Sequence, residues 1–135
     1  MKIALAVLQQ GDDYLLQKRG NIPKIGGANL IGLFGGKIGD ETPLEAVCRE
    51  VAEETNMSPK PEDATHWGEV DVTSDHNLEK VVVNAQIFHI KVAKDFEFKA
   101  KEGELVKMTK EQAMKQLDSM TPGTAACFRQ LIGDK

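Results

Sequence analysis

The chain has 135 residues, 41% hydrophobic and 28% charged, with a formal net charge of −4 and a pI near 5.4. That size suits one domain spanning residues 1–135 with a real core, and the composition is that of an ordinary soluble protein. The acidic balance excludes the basic footprint of a duplex-nucleic-acid binder, so phosphate has to be met by a local cation or a metal.

The opening "MKIALAVLQQ" holds six consecutive apolar residues. This is too short for a signal-peptide core or a membrane span, and it reads as a first strand. The segments 2–8 and 13–19 flank "QQGDD", whose Gly-Asp content predicts a hairpin turn. The stretch 20–29, rich in Gly, Pro and Asn, is an irregular loop, and the apolar run 30–34 leads into "GGKIGDE".

Three start signals then coincide: Thr42 as N-cap, Pro43 at the first helical position and Glu45 three residues after the cap. The helix is predicted to run to about Thr55, with Asn56 taking the left-handed conformation that ends helices and Pro59 preventing continuation. Leu44, Val47, Cys48 and Val51 form its apolar stripe. Strands follow at 66–73 and 80–92; the second is apolar on both faces in places, as a covered central strand would be. A further strand is predicted at 104–108, a capping box at 109–112, and a closing helix over 124–132. This order indicates an α/β or α+β fold without repeats or a second domain. Cys48 and Cys127 show no metal-type spacing and read as buried thiols in a reducing cytoplasm. His66, His76 and His89 are scattered and read as structural or surface residues.

One feature of the helix opposes local physics. Glu50, Glu53 and Glu54 gather near its C-terminal end. Like charges at this spacing cost roughly 0.2–0.5 kcal/mol per pair, and the macrodipole disfavours anions there. A solvated acidic face is the ordinary meaning of such a run. The surrounding spacing favours another: Gly35 is followed after five residues by Glu41, then after seven by Arg49-Glu50, Val51, Glu53-Glu54, Asn56 and Met57. Six specified residues at fixed spacing arise by chance about once in 10⁷ windows at average usage.

Residues 35–57 resemble the Nudix box, G-x5-E-x7-R-E-U-x-E-E-x-G-U with U aliphatic. The resemblance implies a mixed β-sheet flanked by helices in an α/β/α sandwich. It also implies metal-dependent hydrolysis of a nucleoside diphosphate linked to another group. By the family pattern Glu50, Glu53 and Glu54 are ligands of Mg²⁺ or Mn²⁺, with the Gly35 carbonyl adding an oxygen, while Glu41 and Arg49 form a supporting ion pair. Clustered carboxylates are the hard-oxygen donors such ions prefer. Three departures stand out. The box glycine is Asn56, expected to substitute with little damage because Asn tolerates the same geometry. The loop before Glu41 is one residue shorter than in many relatives. Phe34 stands where many carry proline.

Glu104, where the MutT-like branch supplies a late acidic residue, is the further candidate for metal ligand or general base beside Glu53 and Glu54; an exposed loop glutamate is the ordinary alternative. Glu102 lies two residues before it. Arg19 and Lys37 are candidates for holding phosphate. "GLFGGK" is not a P-loop, since its spacing is short and no Ser or Thr follows Lys37. Trp67, Phe34 and Phe88 could stack on a base, with core packing the better expectation for each. The hairpin start and small size look like MutT-type nucleoside triphosphate pyrophosphohydrolases, which release a nucleoside monophosphate and pyrophosphate. The asparagine with which MutT-like proteins read oxidised guanine is replaced at about Thr124. The alternatives are an ADP-ribose or nucleotide-sugar pyrophosphatase, a non-catalytic Nudix-fold binding module, and a Nudix-fold isomerase, for which no cysteine sits in a recognisable site. The expected partner is a small nucleotide, with no nucleic acid polymer and no membrane, and the enzyme a cytoplasmic monomer or homodimer.

Overall fold

The first strand, β1 (Lys2–Gln10), is apolar on both sides because it is covered on both sides. In the computed structural model, which describes residues 1–18, 30–76 and 79–133 without the side chains of 74–79, Ala4, Ala6 and Leu8 face one hydrophobic cluster. Leu5 and Val7 face a second. Alternation along a strand sends successive side chains to opposite faces, so an unbroken apolar run needs two covers. Arg19 and the predicted loop 20–29 lie outside the described residues.

Three strands grip β1. Parallel β6 (Glu79–Lys91) runs along its whole length on one side. On the other side lie antiparallel β4 (Phe34–Lys37), against residues 3–6, and β2 (Asp13–Lys18), against residues 8–10. β2 then pairs with β3 (Ile31–Gly32) and with β7 (Glu104–Thr109), and β6 carries the antiparallel edge strand β5 (Ala64–His76). The strand predicted at 80–92 is therefore a central one, as its two-faced apolar pattern requires. Phe88 and Ile90 turn to one cluster, and Ala85 and Ile87 to the other.

α1 (Pro43–Glu54) covers the first face through Ala46, Val47 and Val51, with Leu44 and Cys48 only half-buried at its margin. Its start is the predicted capping box: Thr42 Oγ1 accepts from Glu45 N at 3.1 Å, and Glu45 Oε1 accepts from Thr42 N at 3.0 Å. Its end falls within one residue of the expected Thr55. The helix stops at Glu54, and Thr55 leaves it extended (φ −137, ψ 177), bridging Ala100. The Thr55 hydroxyl donates to Val51 O at 2.7 Å. The turn thus closes on a threonine side chain and an extended pairing, and Asn56 serves another purpose described below.

α2 (Lys110–Met114) and α3 (Pro122–Cys127), which continues as a π-helical turn over Phe128–Ile132, cover the second face. The single helix predicted over 124–132 is therefore part α and part π. Phe128 meets Tyr14 edge-on, with ring centroids 5.5 Å apart. Among the described residues no helix is long and apolar enough to cross a membrane.

Phe34, the residue in the family's proline position, is fully buried and packs edge-on against Phe98 at 5.7 Å. Phe34→Ala is expected to cost about 3–5 kcal/mol in urea unfolding; a loss under about 1 kcal/mol would mean that this site collapses freely.

Candidate active site

Arg49 organises the acidic side of α1. Its Nε donates to both Glu41 oxygens at 3.1 and 3.0 Å, and Nη2 donates to Glu41 Oε1 at 2.6 Å. Nη2 also reaches the Lys37 carbonyl at 3.2 Å, which ties the helix to the end of β4. Nη1 donates to Glu50 Oε1 at 3.0 Å and to both Glu53 oxygens at 3.3 Å. One guanidinium therefore serves three carboxylates, which its planar fork of donors allows. The hydrogen bonds from Arg49 hold the Glu41 carboxyl below its ordinary range, and those from Glu41, Glu50 and Glu53 push the guanidinium still further up.

Glu54 turns away from Arg49 toward the sheet. Its Oε1 accepts from Gly35 N at 2.8 Å, and Oε2 has a longer contact of 3.4 Å with Gln17 Nε2. Partial burial is the main cause that pushes this carboxyl up to about 7. The Gly35 and Gln17 donors oppose the shift, and the charges of Glu50 and Glu102 add to it. Gly35 meets the cluster through its N–H, where the resemblance implied its carbonyl. Close approach requires the first glycine of the pair: a Cβ on Gly35 would press on the β1 backbone at Ala4 and Leu5, whereas one on Gly36 would come within 2.7 Å of the Glu50 carboxyl, the movable end of a side chain.

The remaining candidates scatter. Lys37 is exposed at the end of β4. Glu104 opens β7 opposite Lys18 and lines a groove with Ile31, Val106 and Met108. Val106 and Met108 belong to the cluster under α2 and α3, whereas Leu105 packs toward α1. By alternation Glu104 starts on the face away from α1, and Glu102 is the loop carboxylate whose charge reaches Glu54. Phe34 and Phe88 are core residues. Half-buried Trp67 stacks on His89 at 4.2 Å. His89 Nε2 meets Gln9 Oε1 at 2.8 Å, and exposed His66 meets Gln86 Oε1 at 2.9 Å. Thr124 is 1% exposed, and its hydroxyl oxygen accepts from Leu33 N at 2.9 Å and Thr121 Oγ1 at 2.8 Å, so it is a packing residue. Cys127 is buried and its thiol is pushed up to about 12, while Cys48 is only half-buried. Sequence reasoning missed Gln17, 5% exposed. Its signal was a polar residue on the same strand face as buried Leu15.

A family model for the NUDIX domain matches residues 2–131. The chain belongs to the Nudix family. A MutT NUDIX hydrolase from Burkholderia pseudomallei is 25% identical, with 96% of this chain and 95% of that one covered and a TM-score of 0.67. A MutT protein from Methanosarcina mazei Go1 is 22% identical, with 99% and 94% covered and a TM-score of 0.77. A bifunctional NMN adenylyltransferase/ADP ribose pyrophosphatase from Francisella tularensis, complexed with AMP and Mn ion, is 17% identical over 98% of this chain and 41% of that one, with a TM-score of 0.73. No curated protein sequence matches the chain. The protein is a MutT-like Nudix pyrophosphohydrolase.

The donor chemistry at α1 fits a hard divalent ion: three carboxylates from successive helical turns, with only oxygen ligands on offer. Their arrangement is not a closed cage. Among the described residues no three His, Cys, Asp or Glu side chains converge to hold an ion; Glu50 and Glu53 are turned to Arg49, and Glu54 to Gly35.

The raised Glu54 pKa has a stability consequence. Below its ordinary 4.5 the group is protonated in both folded and unfolded chains; between 4.5 and about 7 only the folded state keeps the proton. The contribution of Glu54 to stability therefore falls as pH rises through that window. Urea unfolding in EDTA at pH 5 and pH 7.5 is expected to show a larger drop in wild type than in Glu54→Gln; equal drops would contradict the assignment.

Proposed function

We propose that the enzyme hydrolyses a nucleoside triphosphate to the nucleoside monophosphate and pyrophosphate, with Mg²⁺ or Mn²⁺ as cofactor, in the cytoplasm. The observation that carries this reading is the placement of Glu54 beside the Gly35–Gly36 backbone, with Glu50 against Gly36 and Glu53 one turn away. The whole-length likeness to a MutT NUDIX hydrolase supports the triphosphate class.

In this reading Glu50, Glu53 and Glu54 hold the cation, which would supply positive charge to the diphosphate oxygens. Glu54 is also the group suited to move a proton. Its Oε1 is fixed by the Gly35 N–H, while Oε2, held among the described residues by the long Gln17 contact alone, would face the cation or take a proton from attacking water. Burial without a cation pushes this carboxyl up to about 7; a cation held beside it would lower it again and keep it ionised as ligand or base. Glu53, exposed on the outer side of the helix, follows the incoming phosphate as a ligand or as the alternative base. Arg49 braces Glu50 and Glu53 and, through Glu41, the loop before α1. Lys37 and Arg19 are assigned to the phosphate chain, while Glu104, which starts β7 on the face away from α1, is given no part in holding the cation. Thr124, buried with its oxygen engaged, gives no support to oxidised guanine as the preferred base.

The test is a hydrolysis screen with Mg²⁺ or Mn²⁺ that reads pyrophosphate directly for the triphosphates and, for the other substrates, the phosphate freed from their phosphomonoester products by added alkaline phosphatase. It offers canonical and oxidised nucleoside triphosphates, ADP-ribose, nucleotide sugars and dinucleoside polyphosphates. A nucleoside triphosphate is expected to turn over, EDTA to abolish the reaction, and Glu53→Gln and Glu54→Gln each to lower kcat by about 10²–10⁴-fold. Turnover confined to ADP-ribose or a nucleotide sugar would move the substrate class. No turnover of any would make the protein a binding module.

A further inference from the structure

The position where the box carries glycine is taken here by an asparagine that makes three hydrogen bonds to one segment. Asn56 N donates to Lys99 O at 3.1 Å, Asn56 Nδ2 donates to Glu97 O at 2.8 Å, and Asn56 Oδ1 accepts from Lys99 N at 2.8 Å. The amide thus pairs with the backbone on both sides of residue 98 as another strand would. Immediately alongside, Thr55 bridges Ala100, Lys101 N donates to Glu54 O at 2.8 Å, and Lys101 Nζ reaches Ala52 O at 3.3 Å. The segment thereby satisfies carbonyls that the end of α1 leaves without helical partners.

This lacing ends one residue before Glu102, and the next residue is anchored too. Gly103 has φ 69, and a Cβ there would come within 2.7 Å of Lys18 O and 3.6 Å of Gln17 Oε1. Gln17 is the residue whose amide reaches Glu54 Oε2. Glu102 is therefore bracketed by Lys101, bonded to the Glu54 backbone, and Gly103, packed on the Glu54 side-chain partner.

We propose that Asn56 is a positioning residue: it clamps residues 97–99 to the end of α1 and so fixes Glu102 beside Glu54, making the loop carboxylate part of the acidic site. This rests on the hydrolase reading of that site. The upward push of Glu102 on Glu54 agrees with the placement. A glycine at 56 could keep the backbone bond to Lys99 O but neither side-chain bond.

The experiment compares wild type with Asn56→Gly, Asn56→Asp, Glu102→Gln and the Asn56→Gly/Glu102→Gln double variant. It uses dGTP turnover with Mg²⁺, Mn²⁺ binding without nucleotide, and amide hydrogen exchange. Restoring the family glycine is expected to speed exchange at Lys99 and Lys101 by about tenfold. It should weaken Mn²⁺ binding severalfold and lower kcat by about tenfold, with KM little changed. Asn56→Asp keeps the acceptor for the Lys99 amide and should fall between. Because Asn56 acts through Glu102, the double variant should match Glu102→Gln within about twofold. Wild-type kcat and Mn²⁺ affinity in Asn56→Gly, or losses that multiply in the double variant, would overturn the proposal. Should Asn56→Gly fail to fold, Glu102→Gln alone decides: unchanged Mn²⁺ affinity and kcat would place Glu102 outside the site. A wild type that leaves dGTP intact counts against that substrate, while exchange and Mn²⁺ binding still decide the clamp.

Discussion

The hydrogen bond from Gly35 N–H to Glu54 joins the last turn of α1 to β4 at a point where the strand must carry no side chain. It requires the helix to lie close to the sheet, which Ala46 and Val47 permit because they are small and fully buried. It requires β4 to run beside β1, which the bare backbone at Gly35 allows. It also holds a carboxylate where burial would otherwise leave it without partners, a costly arrangement in a low-dielectric setting. The direction of the helix and the bare backbone at Gly35 are one constraint seen from two sides, and the burial it imposes raises the Glu54 carboxyl against the pull of the bond itself.

Arg49 plays the complementary part on the solvent side. Its side chain is 38% exposed, so any single pair it makes is weak. Its value lies in geometry: one planar group meets Glu41 with two nitrogens and spans Glu50 and Glu53 with a third. A lysine could balance the charge but not fix three carboxylates at once. The repulsion that made the acidic run anomalous in sequence is thus offset within the chain itself, which lets the helix form around residues that oppose it.

The parts legible in the sequence were those set by neighbours along the chain. Thr42, Pro43 and Glu45 announced the start of α1, and the unbroken apolar runs of β1 and β6 announced strands with two covers. The spacing from Gly35 to Glu54 fixed the family, because a helix with carboxylates at its end must follow a glycine turn at a set distance. The missed parts were decided by contacts across the fold. Gln17 is an ordinary strand residue until Glu54 arrives from 37 positions away. Asn56 looked like a helix terminator because its role depends on residues 97–99, whose course no local pattern announces. Glu104 drew attention over Glu102 by motif position, but Glu104 opens β7 while Glu102 stays in the loop, before the turn at Gly103.

The pairing of β1 with β6 carries a consequence for how the molecule is made. Lys2 lies opposite Asn84 and Gln9 opposite Lys91, so the first strand finds its full-length neighbour some eighty positions later. Loops of that length must close before the central sheet can assemble, which places the rate-limiting barrier in long-range strand pairing and not in forming α1. During synthesis the hairpin of β1 and β2 emerges with a long apolar edge unprotected until residues 79–91 have left the ribosome.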